Sequence, residues 1–217
     1  MQVNSERAEQ FGNGMGRGAG EHTRRGQIIE ATIATVAEIG YSKTSFARIV
    51  ERAGLSSTRL ISYHFAGKAD LMQATLSSII DTMDSFLGTR TPRKACRARL
   101  LRACIESEIA FLGAYPEHMR TLVEIGTHAR GDLGAPILGM VWHDLRVGRL
   151  ERQLHQGQRE GVFGEFDVAV MAMTIRQALD GVSLRLTENP ELDVQAYGQE
   201  LAGLFDRATR AAPAQTQ

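Results

Sequence analysis

The sequence predicts an all-α fold, and three observations carry that expectation. Apolar residues recur at three- and four-residue intervals through segment after segment, as one buried helix face requires. No stretch keeps a two-residue alternation and no segment repeats, so neither a sheet nor a solenoid is indicated. Breakers fall at helical distances: Gly40, Gly54, Pro92, Tyr115-Pro116, Gly161 and Asn189-Pro190. The 217 residues are 43% hydrophobic and 23% charged, which is ordinary for a globular chain with material for a core. No apolar run reaches membrane-spanning length, and the first residues are polar and Gly-rich. These features predict a cytoplasmic protein with no membrane partner.

About nine helices are expected. Residues 1–22 carry Gly12, Gly14, Gly16, Gly18 and Gly20 among few apolar side chains, and read as a disordered tail. Within it, Gly14 to Ala19 fits a G-x-G-x-x-A phosphate loop only superficially, because no strand precedes it. The first helix runs from about Thr23 to Ile39, with Ile28, Ala31, Thr32, Thr35, Val36 and Ile39 as its inner stripe and Gly40 as its stop. Two short helices follow within 44–65. The fourth helix spans about Ala69 to Leu87 and carries the stripe Leu71, Met72, Leu76, Ile79, Ile80, Met83, Phe86 and Leu87. It is long enough to leave the first domain and link it mechanically to the rest. Helices are then expected up to Leu112, over Glu117 to Ala129, Pro136 to Glu160, Asp167 to Glu188 and Asp193 to Thr209. Val168 to Ile175 is apolar almost all round, which predicts burial on several sides. The domains expected are 23–70 and 71–211, with a second disordered tail at 212–217.

The most informative stretch is T-S-F-A-R-I-V-E-R-A-G-L-S-S-T-R-L-I-S-Y-H-F, Thr44 to Phe65. Ser45 suits an N-cap, because its hydroxyl can accept from a backbone N–H of the first turn. Phe46, Ile49, Val50 and Ala53 give one buried face, and Gly54 suits a left-handed end. Ser56 or Ser57 caps the second helix, which is too short to stand alone. Leu60, Ile61 and Phe65 must anchor it. Its other side chains are polar and partly basic, the form in which a helix–turn–helix enters a DNA major groove.

Those residues also resemble a known family. Ile28 to Ala31, Gly40-Tyr41, Thr44, Ile49, Ala53-Gly54-Leu55-Ser56, Tyr63-His64-Phe65 and Lys68 to Leu71 look like the DNA-binding domain of TetR-type (tetracycline-repressor-like) regulators. The stretch from Gly54 to Phe65 is one residue longer than is usual there, with the extra residue in 56–59. The resemblance implies an amino-terminal three-helix DNA-binding domain. Behind it would stand a carboxyl-terminal helical domain for ligand binding and dimerisation. The protein is thus expected to be a homodimeric repressor of a palindromic double-stranded operator, released by an unknown small-molecule effector. The alternatives are a regulator without an effector, controlled by a protein partner or by abundance, and a small-molecule-binding enzyme on the same fold.

Net charge is zero, yet 23–70 holds seven bases (Arg24, Arg25, Lys43, Arg48, Arg52, Arg59, Lys68) against four acids (Glu30, Glu38, Glu51, Asp70). A local basic excess is what phosphate contact needs. Arg24 and Arg25 oppose the helix dipole in a first turn, which phosphate contact would explain. Thr44 and Ser45 lie at a helix start, a natural phosphate site, with Lys43 and Lys68 to either side. The resemblance puts Tyr63 and His64 beside the backbone. Ser56, Ser57, Thr58, Arg59 and Ser62 are left for contact at the bases, where Arg59 on guanine is the most specific option.

In the second domain, Met83, Phe86, Met119, Trp142 and Met171 could line an apolar pocket, with His143 and Arg176 to orient a ligand. The dimer surface is expected on the last two helices, at Met171, Ile175, Ala178, Gly181, Val182, Leu201, Leu204 and Phe205. No cofactor is implied. Glu124 and His128 share a helix face, but a metal needs three or four ligands. No nucleophile–base arrangement with motif context is present, so no enzyme is expected. Cys96 and Cys104 lie about 12 Å apart if on one helix, too far for a disulfide. They read as two small buried hydrophobes.

Overall fold

The computed structural model describes residues 6–92, 94–128 and 143–211, with the side chains of 6–22, Leu145 and Thr187 left aside. The chain divides into two compact units, Met1–Ser78 and Ile79–Gln217. Among the described residues all regular structure is helical apart from one isolated bridge between Phe163 and Arg210. None of these helices is long and apolar enough to cross a membrane.

In the amino-terminal unit, α1 spans Glu6–Ile39, α2 Phe46–Ala53 and α3 Arg59–His64, and α4 begins at Lys68. α1 starts inside the stretch expected as a disordered tail, so that expectation for 1–22 is corrected. Ile28, Ile33 and Val36 are fully buried and fix the helix. Extending a fixed helix needs propagation only and no new nucleus, which offsets the poor propensity of the glycines. Thr32 and Thr35 are buried too, each donating its hydroxyl to the carbonyl four residues back at 2.7 Å. The units part inside α4, at Ser78, rather than at 70. Leu71, Met72 and Thr75 are completely buried, and these first turns belong with the amino-terminal unit.

The carboxyl-terminal unit holds the rest of α4 (Lys68–Arg90 in full), α5 (Arg97–Ala114), α6 (Pro116–His128), a π-helical turn (Asp144–Gly148) running into α7 (Arg149–Arg159), α8 (Val168–Glu188) and α9 (Val194–Thr209). α5 is its spine, packed along α9 and against α7 and α8. Leu101, Ile105 and Ile109 of α5 meet a core that includes Leu154, Ile175, Leu179 and Ala202, all buried. α8 and α9 start where the sequence places them because Asp167 and Asp193 cap them. Asp167 accepts from Val170 N–H at 2.9 Å, and Asp193 from Gln195 and Ala196 N–H at 3.0 and 2.9 Å. Of the helix expected over Pro136 to Glu160, the part before residue 143 lies outside the described residues.

The cysteine reading holds for one residue only. Cys96 is exposed at the start of α5, which corrects the expectation of burial. Cys104 is enclosed; burial, reinforced by Glu108 one turn on, pushes its thiol up to about 12. It stays protonated and acts as a small apolar group.

After α7 the chain turns at Gly161, in the left-handed region at φ 68°. Phe163 folds back onto Gly157, whose carbonyl accepts from both Val162 and Phe163 N–H. A Cβ at Gly157 would lie inside the space of the buried Phe163 ring. Gly157→Ala should therefore be net destabilising by about 1–3 kcal/mol despite its better helix propensity. Urea denaturation should show a lower midpoint, while Gly67→Ala, with open space around it, should not.

Candidate nucleic-acid interface

The recognition stretch is built by local capping. Ser45 is the extended N-cap of α2 and accepts from Arg48 N–H at 3.5 Å. At the other end Gly54 is left-handed (φ 63°, ψ 32°). Gly54 N–H bonds Glu51 and Leu55 N–H bonds Val50, so the last carbonyls of α2 are closed off and the chain turns. α3 starts at Arg59 after the N-cap Thr58, which makes no side-chain cap. Ser57 does the work expected of it one step early, its hydroxyl accepting from Arg59 N–H at 3.0 Å. The extra residue of 56–59 thus sits in the turn and leaves α3 with six residues.

So short a helix is held from outside. Ile61 and Phe65 are buried beneath it, as expected, and Leu60 is half-buried. α1 reaches both helix ends. Gln27 donates to Ala53 O at the end of α2 (2.7 Å), and Arg25 donates to His64 O at the end of α3 (3.0 Å). The Arg25 guanidinium also lies over the Phe65 ring, 4.3 Å from its centre. Lys68 does the same at the first turn of α4. It donates to Tyr41 O at 3.0 Å and lies 4.3 Å over the Tyr41 ring. Thr44 is buried and its hydroxyl donates to Gly40 O. The Arg25, Lys68 and Thr44 side chains thus all make internal contacts.

The remaining candidates lie open. Ser56, Ser57, Thr58, Arg59, Ser62 and Tyr63 are all exposed, Tyr63 by 72%. His64 is half-buried, edge-on to Tyr63 with ring centres 5.0 Å apart. Arg24, Lys43, Ser45 and Arg48 are exposed as well. Arg24 makes a hydrogen bond within α1 to Gln27 (2.8 Å), and Arg52 pairs with Glu38. The surface thus offers hydroxyls and unburied guanidinium and ammonium groups from three segments of one small unit.

In the carboxyl-terminal unit a cavity of about 20 Å³ lies among α4, α5, α6, the π turn and α8. That is room for roughly one water molecule. Met83, Met119 and Arg176 line it, as expected, beside Phe111 and Leu122. Phe86 is not in its wall; its ring packs edge-on against Phe111 and Tyr115. Met171 is not in the wall either, and Trp142 lies outside the described residues. His143 is exposed, 3.8 Å from Glu151. The polar wall is Arg176, Glu108 and Arg146. Arg176 donates to Glu108 at 2.7 Å and to Asp180 at 3.1 Å, and Arg146 bonds the same Asp180 oxygen. Burial lowers Arg176, and Glu108 and Asp180 more than reverse this. Burial, then repulsion from Arg176, holds Arg146 below the usual arginine value. His128 sits 3.4 Å from Glu124, and no group of three metal-ligating side chains occurs among the described residues.

α8 and α9 leave an apolar face uncovered. Val170 and Leu184 are each 63% exposed and Leu204 53%; Met173 and Gly181 join them on one side. Three residues expected on a dimer surface are instead core. Ile175, Val182 and Phe205 are buried inside their own chain, while Met171, Ala178 and Leu201 are half-buried. The expectation that Val168 to Ile175 is buried on several sides is likewise corrected by the exposure of Val170.

Residues 28–75 match the family model described as bacterial regulatory proteins, tetR family. The amino-terminal unit carries a domain of that family. It is similar to the HTH-type transcriptional regulator BetI of Cronobacter sakazakii, 29% identical over 199 residues, which are 83% of this chain and 92% of that protein. A TetR family transcription regulator from Marinobacter aquaeolei VT8 has a similar fold, with TM-score 0.75 and 18% identity over 89% of this chain and 99% of that one. So does AibR, solved in complex with isovaleryl coenzyme A and operator DNA, with TM-score 0.70 and 18% identity over 83% and 97%. The chain is a transcriptional regulator of this type, and α2–α3 is its helix–turn–helix.

Sequence reasoning missed Gln27, Glu108, Arg146 and Asp180. Arg176 and Asp180 stand four apart in an otherwise apolar run, as Glu108 does in α5, and charges so placed signal buried pairs. Nothing marked Arg146, because the π turn shifts its direction from an α-helical register.

Salt dependence separates the two kinds of residue. Lys43→Ala should lower the slope of log affinity against log salt by about 0.9, as loss of one phosphate contact does. Arg25→Ala should weaken operator binding and lower the melting temperature with that slope unchanged. Arg59→Ala should relax preference at one base pair by about 1–3 kcal/mol if it reads guanine. Fluorescence anisotropy on operator and scrambled DNA measures all three; a reduced slope for Arg25→Ala would make it a phosphate contact.

Proposed function

We propose that the protein is a homodimeric, cytoplasmic repressor that leaves its operator when a small-molecule effector enters the cavity beside Arg176. The observation that carries this is the exposed polar row of α3, clamped at its last carbonyl in a unit that matches the tetR-family model. One such helix reads too few base pairs for genomic specificity, and a two-fold dimer on a palindrome solves that. The uncovered face with Val170, Met173, Gly181, Leu184 and Leu204 supports dimerisation. Val170→Asp with Leu184→Asp should reduce the mass seen by light scattering from twice the chain's 23.8 kDa to the chain mass, with loss of operator affinity. An unchanged dimer would move the interface elsewhere.

The effector reading draws on the cavity and on α4, whose 23 residues carry the boundary between the units. Met83 lines the cavity, and Lys68 at the other end of α4 is bound to Tyr41 of the DNA-binding unit. Two recognition helices must match grooves about 34–36 Å apart, so a shift of a few ångströms passed along α4 breaks register. The coupling is reciprocal: operator DNA must weaken effector binding by the factor with which effector weakens operator binding. Titrating a candidate effector into free protein and into the operator complex tests this. Equal affinities would leave the second reading, a regulator without an effector, which the smallness of the cavity favours.

A further inference from the structure

Four charged side chains meet beside the cavity, two guanidiniums and two carboxylates, and they differ in their access to water. The side chains of Arg176 and Arg146 are 6% and 9% exposed. Glu108 is 19% exposed and Asp180 is 35% exposed. The cluster is electrically balanced, and a buried charge must stay balanced because an unpaired one is costly. A charged ligand entering it must therefore replace a group of its own sign that can retreat to water. Neither arginine can do so without crossing the packed interior. Asp180 can: it lies nearest to solvent, and both guanidiniums share its Oδ1 atom.

We infer that the effector of the repressor proposed above carries a carboxylate on a small apolar body, and that this carboxylate takes the place of Asp180 between Arg146 and Arg176. The apolar walls receive the body. Met83, Phe111, Met119 and Leu122 border the cavity on the side away from the charges, and both methionines can change rotamer to enlarge it. A carboxylate is the right head because two converging guanidiniums present planar forks of donors, which match its two oxygens. The geometry gives the exchange a consequence. Asp180 on α8 ties the π turn before α7 to α8 through Arg146. Its release exchanges that tie for one through the ligand, which binds both arginines.

The test is calorimetric titration of the full-length protein without DNA. The probes are butyrate, hexanoate and benzoate, each beside its primary amide, and butyltrimethylammonium as the cationic control. Carboxylates should bind, and amides and the cation should not. Arg146→Met should weaken carboxylate binding at least about tenfold, the loss of one charge-assisted pair. Asp180→Asn, which removes the internal competitor and keeps its shape, should tighten it by a similar factor. Opposite effects from two variants of one cluster do not arise from misfolding. Binding of the cation or the amides in preference to the acids overturns the inference, as does no carboxylate binding to either the parent chain or Asp180→Asn. Weakening by Asp180→Asn overturns the exchange. These outcomes leave the effector reading itself untouched, since that falls only if operator affinity and effector affinity prove independent.

Discussion

A helix of six residues has almost no stability of its own, since the nucleus costs more than two turns return. Everything that α3 can do on DNA depends on the contacts that hold it. Its underside is pinned by Ile61 and Phe65, and its last carbonyl is taken by Arg25 from α1. Gln27, two residues on, takes the last carbonyl of α2. One turn of α1 thus fixes the ends of both helices of the motif and so their mutual angle. Capping from a neighbouring helix does what a longer helix would do by itself. It leaves the side chains of Arg59, Ser62 and Tyr63 exposed.

The carboxyl-terminal unit rests on a different kind of constraint. Its core is ordinary apolar packing except where Arg176 and Arg146 enter it. Glu108 and Asp180 more than offset the desolvation of Arg176, while burial and repulsion from Arg176 leave Arg146 below its usual value. Replacing such a cluster by apolar residues of equal volume often stabilises a protein, whereas removing one partner costs about 3–5 kcal/mol. Stability alone therefore gives no reason to keep it. A ligand with charge of its own does, because a dry site with fixed donors binds it more strongly and more selectively than a wet one.

The helix order, the cap at Ser45, the starts of α8 and α9 and the left-handed Gly54 were all legible, because each is set by residues within a few positions of one another. The buried stripe of α1 was legible for the same reason. Side-chain duty was not. Arg25 and Arg59 look alike in sequence, and only the placement of α1 against α3 separates the clamp Arg25 from the exposed Arg59. Of the pocket residues, Met83, Met119 and Arg176 were found by face and chemistry, but Glu108 and Arg146 come from elements that meet Arg176 only in three dimensions. α8 defeated periodicity most plainly. Apolar residues all round it conceal which side is core, so Ile175 and Val182 passed for surface while Val170 and Leu184 were passed over.

That ambiguity in α8 has a physical source. A helix with one face in its own core and another against a second chain must be apolar on both, and its hydrophobic pattern flattens. Exposure in a single chain separates the two. Val170 and Met173, then Gly181 and Leu184, lie on one side of α8 with the exposed Gln177 between the two pairs, whereas isolated surface apolar residues scatter. Gly181 has open space where a Cβ would stand, so it permits another helix to come close at the middle of the stripe. The side of the same helix next to the stripe carries Arg176 and Asp180. Any change in the charge cluster therefore acts on the helix that presents the stripe. A two-fold interface built on α8 would join the two cavities of a dimer through their shared wall.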